Sequence, residues 1–182
     1  MEINAIDQYN NLFSLKNIIN QNLIDNLVKE DFFSYDFKTF ENHETRPRRL
    51  LKITKENILN KISLDLFVKL PKISKILNVD FKTIKTVYWL DLPGYKLGPH
   101  LDDDRVHYAM QLYLWGDPIG TTFFKVDKPS RNLKFRTKDL EIRKAFDFVP
   151  NTGYLMKQND YQVHAVVDTI MKPRLSCYSW LD

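Results

Sequence analysis

The chain has 182 residues, of which 43% are hydrophobic and only five are glycine. This length suits a single domain over residues 1–182 with a sizeable apolar core, and the composition excludes a disordered or collagen-like chain. The formal net charge of +4 is mild, so charge alone does not indicate a nucleic-acid-binding or membrane-binding protein.

Cysteine content and the N-terminus bear on the cellular compartment. Cys177 is the single cysteine, which excludes an intrachain disulfide and suits a reducing environment. The first residues lack the basic start and apolar run of a secretory signal, and no segment is long enough to span a membrane. The sequence therefore predicts a cytoplasmic protein.

Residues 1–80 carry many of their apolar side chains at helical spacing. A first helix is predicted to begin at Ser14, and a second at Thr54 or Asn57, because all three side chains can cap a helix N-terminus. Pro71 predicts the start of a short third helical segment, since proline is tolerated in a first helical turn. This part of the chain is expected to be helical.

Two other features lie between the first two predicted helices. The aromatic side chains from Phe32 to Phe40 alternate in part and predict a strand. The basic cluster Arg46-Pro47-Arg48-Arg49 allows a nucleic-acid contact, a solvated loop, or a rim that attracts an anionic substrate. No nucleic-acid-binding motif accompanies the cluster, so nucleic acid is not an expected partner.

After residue 80 the pattern changes to short runs of β-branched and aromatic residues separated by turn residues. These runs predict six strands: Thr83–Leu92, His107–Trp115, Thr121–Val126, Tyr154–Lys157, Val163–Val167 and Arg174–Trp180. Many short strands without intervening helices indicate a sandwich or barrel. We expect a mainly β fold, in which N-terminal helices over 1–80 pack on one face of a barrel over 81–182.

His100 and Asp102 form the first candidate metal-binding pair. A histidine followed two residues later by an acid is a weak signal alone, because chance supplies one in about half of chains of this composition. Here the pair follows Pro93-Gly94 and Gly98-Pro99, at a strand end where ligands gather in barrels. Extended backbone would place both side chains on the same side of the chain.

His164 and Arg174 extend the candidate site. His164 lies in the apolar run from Val163 to Val167, and both nitrogens of a buried imidazole need partners. A core histidine bonded to backbone is the alternative interpretation. Arg174 alternates with Ser176, so both point to one face of a strand. A buried arginine requires an anion, which a bound carboxylate or a structural ion pair would supply.

These residues together resemble the iron(II)/2-oxoglutarate-dependent dioxygenases, and especially their prolyl-4-hydroxylase-like branch. The resemblance covers about residues 83–182 and rests on the segments Pro93–Asp102, Tyr113–Trp115, His164 and Arg174–Ser176. It implies a double-stranded β-helix (jelly-roll) core and hydroxylation of a C–H bond with release of succinate and CO2. The implied cofactors are Fe(II), the cosubstrate 2-oxoglutarate, and O2.

The resemblance also implies roles for individual residues. His100, Asp102 and His164 would be the iron ligands. Arg174 would bind the distal carboxylate of 2-oxoglutarate, and Ser176 would assist. Where collagen-type prolyl hydroxylases often have tyrosines before the His-x-Asp motif, this chain has Asp91 and Leu97, and they commonly have lysine where it has Arg174. Tyr113 or Tyr88 is the expected substitute for a cosubstrate-binding tyrosine.

Several alternatives remain open at this point. His107 is the best alternative metal ligand, while Asp103 to Arg105 are expected to face solvent or to support the ligands. Cys177 is expected to be inert core, and Trp115 and Trp180 to pack in the core or line the site. A different non-haem iron enzyme and a noncatalytic jelly-roll binding protein are the rival functions. The expected substrate is a protein or peptide side chain or a small metabolite, and a modified nucleobase is a further candidate.

Overall fold

A computed structural model describes residues 1–6, 11–38, 47–102, 107–127, 136–159 and 161–182. The described residues form twelve β-strands and two α-helices, with two short 3-10 turns at Phe32–Ser34 and Thr137–Asp139. The strands are β1 Glu2–Ala5, β2 Leu12–Lys16, β3 Phe37–Lys38, β4 Arg48–Leu51, β5 Ile84–Asp91, β6 Leu97–His100, β7 Tyr108–Gly116, β8 Thr122–Phe124, β9 Ile142–Ala145, β10 Thr152–Lys157, β11 His164–Val166 and β12 Arg174–Leu181. The helices are α1 Gln21–Leu27 and α2 Ile58–Leu77.

The strands form two antiparallel sheets. The large sheet has eight strands in the order β1-β2-β10-β7-β12-β5-β4-β3, and the small sheet has four in the order β6-β11-β8-β9. Phe123 of the small sheet packs edge-on against Tyr154 of the large sheet, with ring centroids 4.9 Å apart. The inner faces of the two sheets therefore meet, which gives the jelly-roll-like arrangement of a β-sandwich.

Both helices pack on the outer face of the large sheet. Apolar side chains of α2 recur every three or four residues and join one buried cluster with outward side chains of the sheet. The members from α2 are Ile58, Leu59, Ile62, Leu66, Leu70 and Ile73. Asn57 caps the helix by accepting a hydrogen bond from the Asn60 N–H. The predicted helix start with Asn57 is thus confirmed.

The N-terminal part differs from its predicted helical character, because four strands of the large sheet come from it. Ser14 does not begin a helix: it lies in β2, which pairs with both β1 and β10, and α1 is capped instead by Asn20. Pairing on both edges outweighs a helical spacing that local sequence alone suggested. No helix of the described residues is both long enough and apolar enough to cross a membrane.

Pro71 also differs from its prediction, because it lies inside the continuous helix α2 rather than at the start of another. Proline leaves the carbonyl four residues earlier without its helical hydrogen bond. That residue, Phe67, is 59% exposed, so water can reach this side of the helix. Burial of Leu70 and Ile73 on the opposite side supports the helix through the interruption.

All six predicted strands of residues 81–182 are present, with ends that differ by one or two residues. Two further strands, β6 and β9, lie in segments that the sequence pattern left as loops. The predicted aromatic strand is instead the turn Phe32–Ser34 followed by the two-residue β3. Phe40, at the end of that prediction, lies outside the described residues.

Candidate metal centre and anion pocket

His100 and His164 face each other across two neighbouring strands of the small sheet. They are directly paired in the register of β6 and β11, and their ring centroids are 4.4 Å apart. The Nδ1 of His100 lies 3.0 Å from the Gly98 carbonyl oxygen, and the Nδ1 of His164 lies 2.9 Å from that of Gln162. Each Nδ1–H can donate to its carbonyl, so both Nε2 atoms are left as acceptors.

Asp102 completes this cluster just beyond the end of β6. Its Oδ1 lies 3.3 Å from the Nε2 of His100 and 3.6 Å from the Nε2 of His164. An ion with bonds of about 2.1 Å and ligands at right angles has ligand atoms about 3 Å apart. The two imidazoles and the carboxylate therefore stand close to the spacing of a common ion. Within the described residues, this is the one cluster of three such ligand groups.

The protonation states of the cluster also suit metal binding. Burial lowers the pKa of His164 to about 4, against the opposing charge of Asp102, so this imidazole is neutral at neutral pH. Burial would raise the pKa of Asp102, but the two neighbouring histidines and the Tyr178 hydroxyl lower it below the usual range. A neutral imidazole and an ionised carboxylate are the forms that bind metal.

The second oxygen of Asp102 is held by two hydrogen bonds from other elements. The Tyr178 hydroxyl, on β12 of the large sheet, donates to Oδ2 at 2.6 Å. The Gln158 side-chain amide donates to the same oxygen at 3.2 Å. Burial and the adjacent Asp102 charge raise the pKa of Tyr178, so its hydroxyl remains a donor. Oδ1 is thereby left facing the two histidines.

The cluster opens into a cavity of about 250 Å³ between the two sheets. Residues of both sheets line it: Arg48, Trp89, Tyr95, Leu97, His100, Asp102, Gln111, Thr121, Tyr154, His164, Ala165, Val166, Arg174, Tyr178 and Trp180. Along β12, Arg174 and Tyr178 both line the cavity, with Tyr178 contacting the ligand cluster. The cavity therefore has a candidate metal centre beside Tyr178 and a cationic group at Arg174, four residues earlier on the same strand.

Arg174 is buried, with 1% of its side chain exposed, and it is paired with an acid. Its Nε donates to Oδ2 of Asp91 at 3.0 Å, and its Nη1 donates to the Ile119 carbonyl oxygen. Arg48 donates from its Nε to the other oxygen of Asp91 at 2.6 Å. The structural ion pair considered for Arg174 is therefore present, and a second arginine shares it.

The other residues predicted to hold the cosubstrate are Ser176, Tyr113 and Tyr88. Ser176 is fully buried, and its Oγ has no hydrogen-bond partner among the described residues. Tyr113 does not line the cavity. Its hydroxyl accepts a hydrogen bond from the N–H of Thr121, and Thr121 is one of the residues that line the cavity. Tyr88 is on the opposite face of the sheet, where its hydroxyl donates to the Leu59 carbonyl oxygen in α2. The position of Tyr88 thus excludes a cosubstrate contact.

The remaining candidates divide between core and surface. His107 is exposed and does not belong to the ligand cluster. Cys177 is buried, and burial raises the pKa of its thiol to about 12, as expected of inert core. Trp180 lines the cavity, whereas Trp115 packs against Phe32 outside it. His43, Arg46 and residues 103–105 lie outside the described residues.

Sequence reasoning missed the roles of Asp91, Arg48 and Tyr178. Asp91 is an acid at the end of the apolar run of β5, and it is fully buried. That signal was present, because a buried acid requires a cationic partner. Arg48 belongs to the basic cluster that was expected to form a loop or an anion-attracting rim. Tyr178 gave no signal, since only the fold brings it to Asp102.

The structure can be tested for its fit to iron and 2-oxoglutarate. Two imidazoles and one carboxylate are the donor set that binds non-haem Fe(II) while leaving positions open. The unpartnered hydroxyl of Ser176, beside Arg174 on the same strand, requires an acceptor or donor that the described residues do not supply. The donor set fits Fe(II), and the unpartnered Ser176 hydroxyl fits 2-oxoglutarate.

Comparison with known proteins gives matches in structure but not in sequence. No family model matches the chain, and no curated protein is similar to it in sequence. A prolyl-4-hydroxylase from Pseudomonas putida is 16% identical with a TM-score of 0.65, over 97% of this chain and 96% of that one. A prolyl hydroxylase from Trichoplax adhaerens, in complex with a hypoxia inducible factor peptide, is 13% identical with a TM-score of 0.59, over 97% and 86%.

A third similar structure contains a small-molecule ligand. HygX from Streptomyces hygroscopicus, with nickel, 2-oxoglutarate and hygromycin B bound, is 9% identical with a TM-score of 0.58, over 94% of this chain and 82% of that one. The chain has the fold of the prolyl hydroxylases and related 2-oxoglutarate-dependent oxygenases. The predicted resemblance is confirmed at the level of the fold.

Proposed function

We propose that this protein is an iron(II)- and 2-oxoglutarate-dependent dioxygenase that hydroxylates an unactivated C–H bond. The observation that carries the proposal is the convergence of His100 Nε2, His164 Nε2 and Asp102 Oδ1 at a cavity that also contains Arg174. Of the O2 consumed, one atom enters the C–H bond and the other the carboxylate of succinate, with CO2 released.

The proposal includes the finer description of the fold. Residues 81–182 would form a double-stranded β-helix core within a single domain of residues 1–182, with strands of the N-terminal part extending the large sheet. The two sheets with the site between their inner faces support this description. A cytoplasmic location is proposed because the single cysteine, Cys177, is a free thiol, as is usual in a reducing compartment.

Two groups of residues in the cavity would bind the metal and the cosubstrate, respectively. His100, Asp102 and His164 would hold iron on one face, and Tyr178 would orient Asp102. Arg174 would bind the distal carboxylate of 2-oxoglutarate, with Ser176 donating a hydrogen bond to it. Tyr113 would act indirectly by holding Thr121. Bound iron and 2-oxoglutarate together supply the oxidising chemistry.

The proposed substrate is a protein or peptide side chain, or a small metabolite. Structural neighbours hold ligands of both kinds, namely the peptide of the Trichoplax adhaerens enzyme and the hygromycin B of HygX. Aromatic and aliphatic side chains such as Trp89, Leu97 and Trp180 line much of the cavity. This lining supports a substrate whose reacting part is apolar.

Anaerobic addition of iron(II) and 2-oxoglutarate tests the proposal directly. We expect a visible charge-transfer absorption band, and succinate formation once O2 is admitted. The His164→Ala variant should lose both, because one of three ligands is gone. His107→Ala is the matched control and should keep both, since His107 is exposed and outside the cluster. A folded wild-type protein that shows no band would refute the proposal.

Two rival functions predict different results. A non-haem iron enzyme of another kind would bind iron(II) but would not bind 2-oxoglutarate. A noncatalytic jelly-roll binding protein would form no succinate, whichever candidate substrate is added. Screening peptides against metabolites for stimulation of succinate release would then identify the substrate class.

A further inference from the structure

Three charged residues form a row across neighbouring strands of the large sheet. Asp91 of β5 is directly paired in register with Arg48 of β4 on one side and with Arg174 of β12 on the other. The Nε atoms of the two arginines each donate to a different oxygen of the carboxylate. Both arginines line the cavity, so the row lies along one wall of it.

The charges in this row do not balance. One carboxylate faces two guanidinium groups, and the three side chains are 0%, 1% and 15% exposed for Asp91, Arg174 and Arg48. A buried charge without a counter-charge is costly. Among the described residues that line the cavity, Asp102 is the one acid, and it belongs to the ligand cluster. The wall therefore has a net positive charge directed at the cavity.

The positive charge is better compensated on Arg174 than on Arg48. Besides Asp91, Arg174 has the Ile119 carbonyl oxygen as an acceptor and the charge of Asp117 nearby. Among the described residues, Arg48 is paired with Asp91 alone, through its Nε. An anion bound in the cavity would therefore be stabilised more by the charge of Arg48 than by that of Arg174.

Two aromatic rings hold the guanidinium of Arg48 in position. Its central carbon lies 4.3 Å from the ring centroid of Trp89 and 4.6 Å from that of Tyr95. Stacking covers the faces of a guanidinium and leaves the N–H groups at its edge able to donate in the plane. The Nε edge is used by Asp91, so the Nη atoms remain for a ligand.

We propose that Arg48 is a second anchor for the distal carboxylate of 2-oxoglutarate and acts beside Arg174 across Asp91. This inference rests on the proposed function, because it assigns the charge that binds the cosubstrate. On this view the Arg174–Asp91 pair is nearly neutral and orients the distal carboxylate of 2-oxoglutarate. The positive charge that attracts this carboxylate comes from Arg48. The carboxylate would complete a balanced set of two cations and two anions.

Binding of two 2-oxo acids tests the role of Arg48 without relying on turnover. The affinities of 2-oxoglutarate and 2-oxopentanoate, which lacks the distal carboxylate, are measured by anaerobic calorimetry on the iron(II)-loaded protein. Arg48→Gln should weaken 2-oxoglutarate binding about tenfold to a hundredfold, as expected for a lost contact between charged groups. Binding of 2-oxopentanoate should change by less than about threefold.

Arg49→Gln is the matched control, because it removes the same charge from the next residue. Arg49 stacks on Phe37 rather than lining the cavity, and the variant should bind both acids as the wild type does. If Arg48→Gln does not fold, Arg48→Lys replaces it. Lysine keeps the charge but not the forked geometry, so a smaller loss confined to 2-oxoglutarate is expected.

Three results would contradict the proposal. Equal losses for the two acids would indicate that Arg48 only maintains the cavity. Unchanged 2-oxoglutarate affinity in Arg48→Gln would indicate that Arg48 faces the main substrate or a structural partner. A wild-type protein that binds iron(II) but neither 2-oxo acid would overturn the proposed function itself.

Discussion

Replacing Tyr178 with phenylalanine isolates the hydrogen bond between the large sheet and the candidate metal ligand Asp102. The substitution removes only the hydroxyl that donates to Oδ2 at 2.6 Å. The ring is kept, so its edge-on contact with Trp180, at a centroid distance of 5.3 Å, should persist. We therefore expect Tyr178→Phe to fold as the wild type does and to change the orientation of Asp102.

The size of the effect follows from the bonds that remain. A hydrogen bond to a charged acceptor contributes about 1.5–3 kcal/mol, and loss of a partner behind a metal ligand costs about tenfold to a hundredfold in metal affinity. Gln158 still donates to the same oxygen at 3.2 Å. The remaining donor places the expected loss at the lower end of that range, about tenfold.

The assay is a titration of iron(II) under anaerobic conditions against a competing chelator. Tyr154→Phe is the matched control, because it also removes a hydroxyl inside the cavity. That hydroxyl donates to Gln111 Oε1 at 2.8 Å rather than to a metal ligand, so its loss should leave iron(II) affinity unchanged. An affinity of Tyr178→Phe within twofold of wild type, or an equal loss in Tyr154→Phe, would refute the reasoning.

Three further predictions concern pH, packing and cosubstrate binding. In the metal-free protein, the unfolded chain binds a proton on His164 near pH 6.5 and the folded protein only near 4. The free energy of unfolding in urea should therefore fall as pH drops from 6.5 to 4, by up to about 3 kcal/mol; a His164→Gln variant with the same pH profile as wild type would contradict this. Gly116→Ala should destabilise the fold by about 2–5 kcal/mol, because φ is +120° there and a Cβ would overlap the Pro173 carbonyl oxygen, whereas Gly98→Ala meets no atom within 4 Å and should be neutral by thermal unfolding. Ser176→Ala should change stability by less than about 1 kcal/mol, since its hydroxyl has no partner among the described residues, but should weaken 2-oxoglutarate binding in calorimetry; unchanged binding would remove Ser176 from the site.

The strands of the C-terminal half could be predicted because their patterns are local. β7 and β12, for example, are rich in apolar and aromatic residues, which favour strands. β6 could not, since Gly98 and Pro99 indicate a turn. It is an edge strand of the small sheet, and edge strands tolerate proline because one side of the backbone needs no partner.

The N-terminal part was harder to predict for a different reason. The apolar residues of β2 are buried at Leu12 and Leu15, a spacing of three that also suits a helix. What decides the structure is pairing with β10, whose residues lie far along the chain. Local propensity is weak against such tertiary contacts.

In the candidate site, too, features local to one segment could be predicted, whereas contacts between distant segments could not. His100, Asp102, His164 and Arg174 were all found from sequence, since each has an unusual chemical setting within its own segment. The partnership of Asp91 with two arginines depends on the register of three strands. That register joins segments that are distant in sequence, so no window of the chain contains it.

The contact between Tyr178 and Asp102 has a consequence for how the protein folds. It joins residues that are 76 positions apart, and Arg174 and Asp91 are 83 apart. Contacts that close such long loops form late, after local turns and hairpins. The three ligand groups therefore converge only once β6 and β11 have paired, and Asp102 is held in place only when the large sheet brings Tyr178 to it, so an unfolded chain offers no comparable site. Any ion that requires all three would bind the native state alone, so the free energy of unfolding would rise with its concentration.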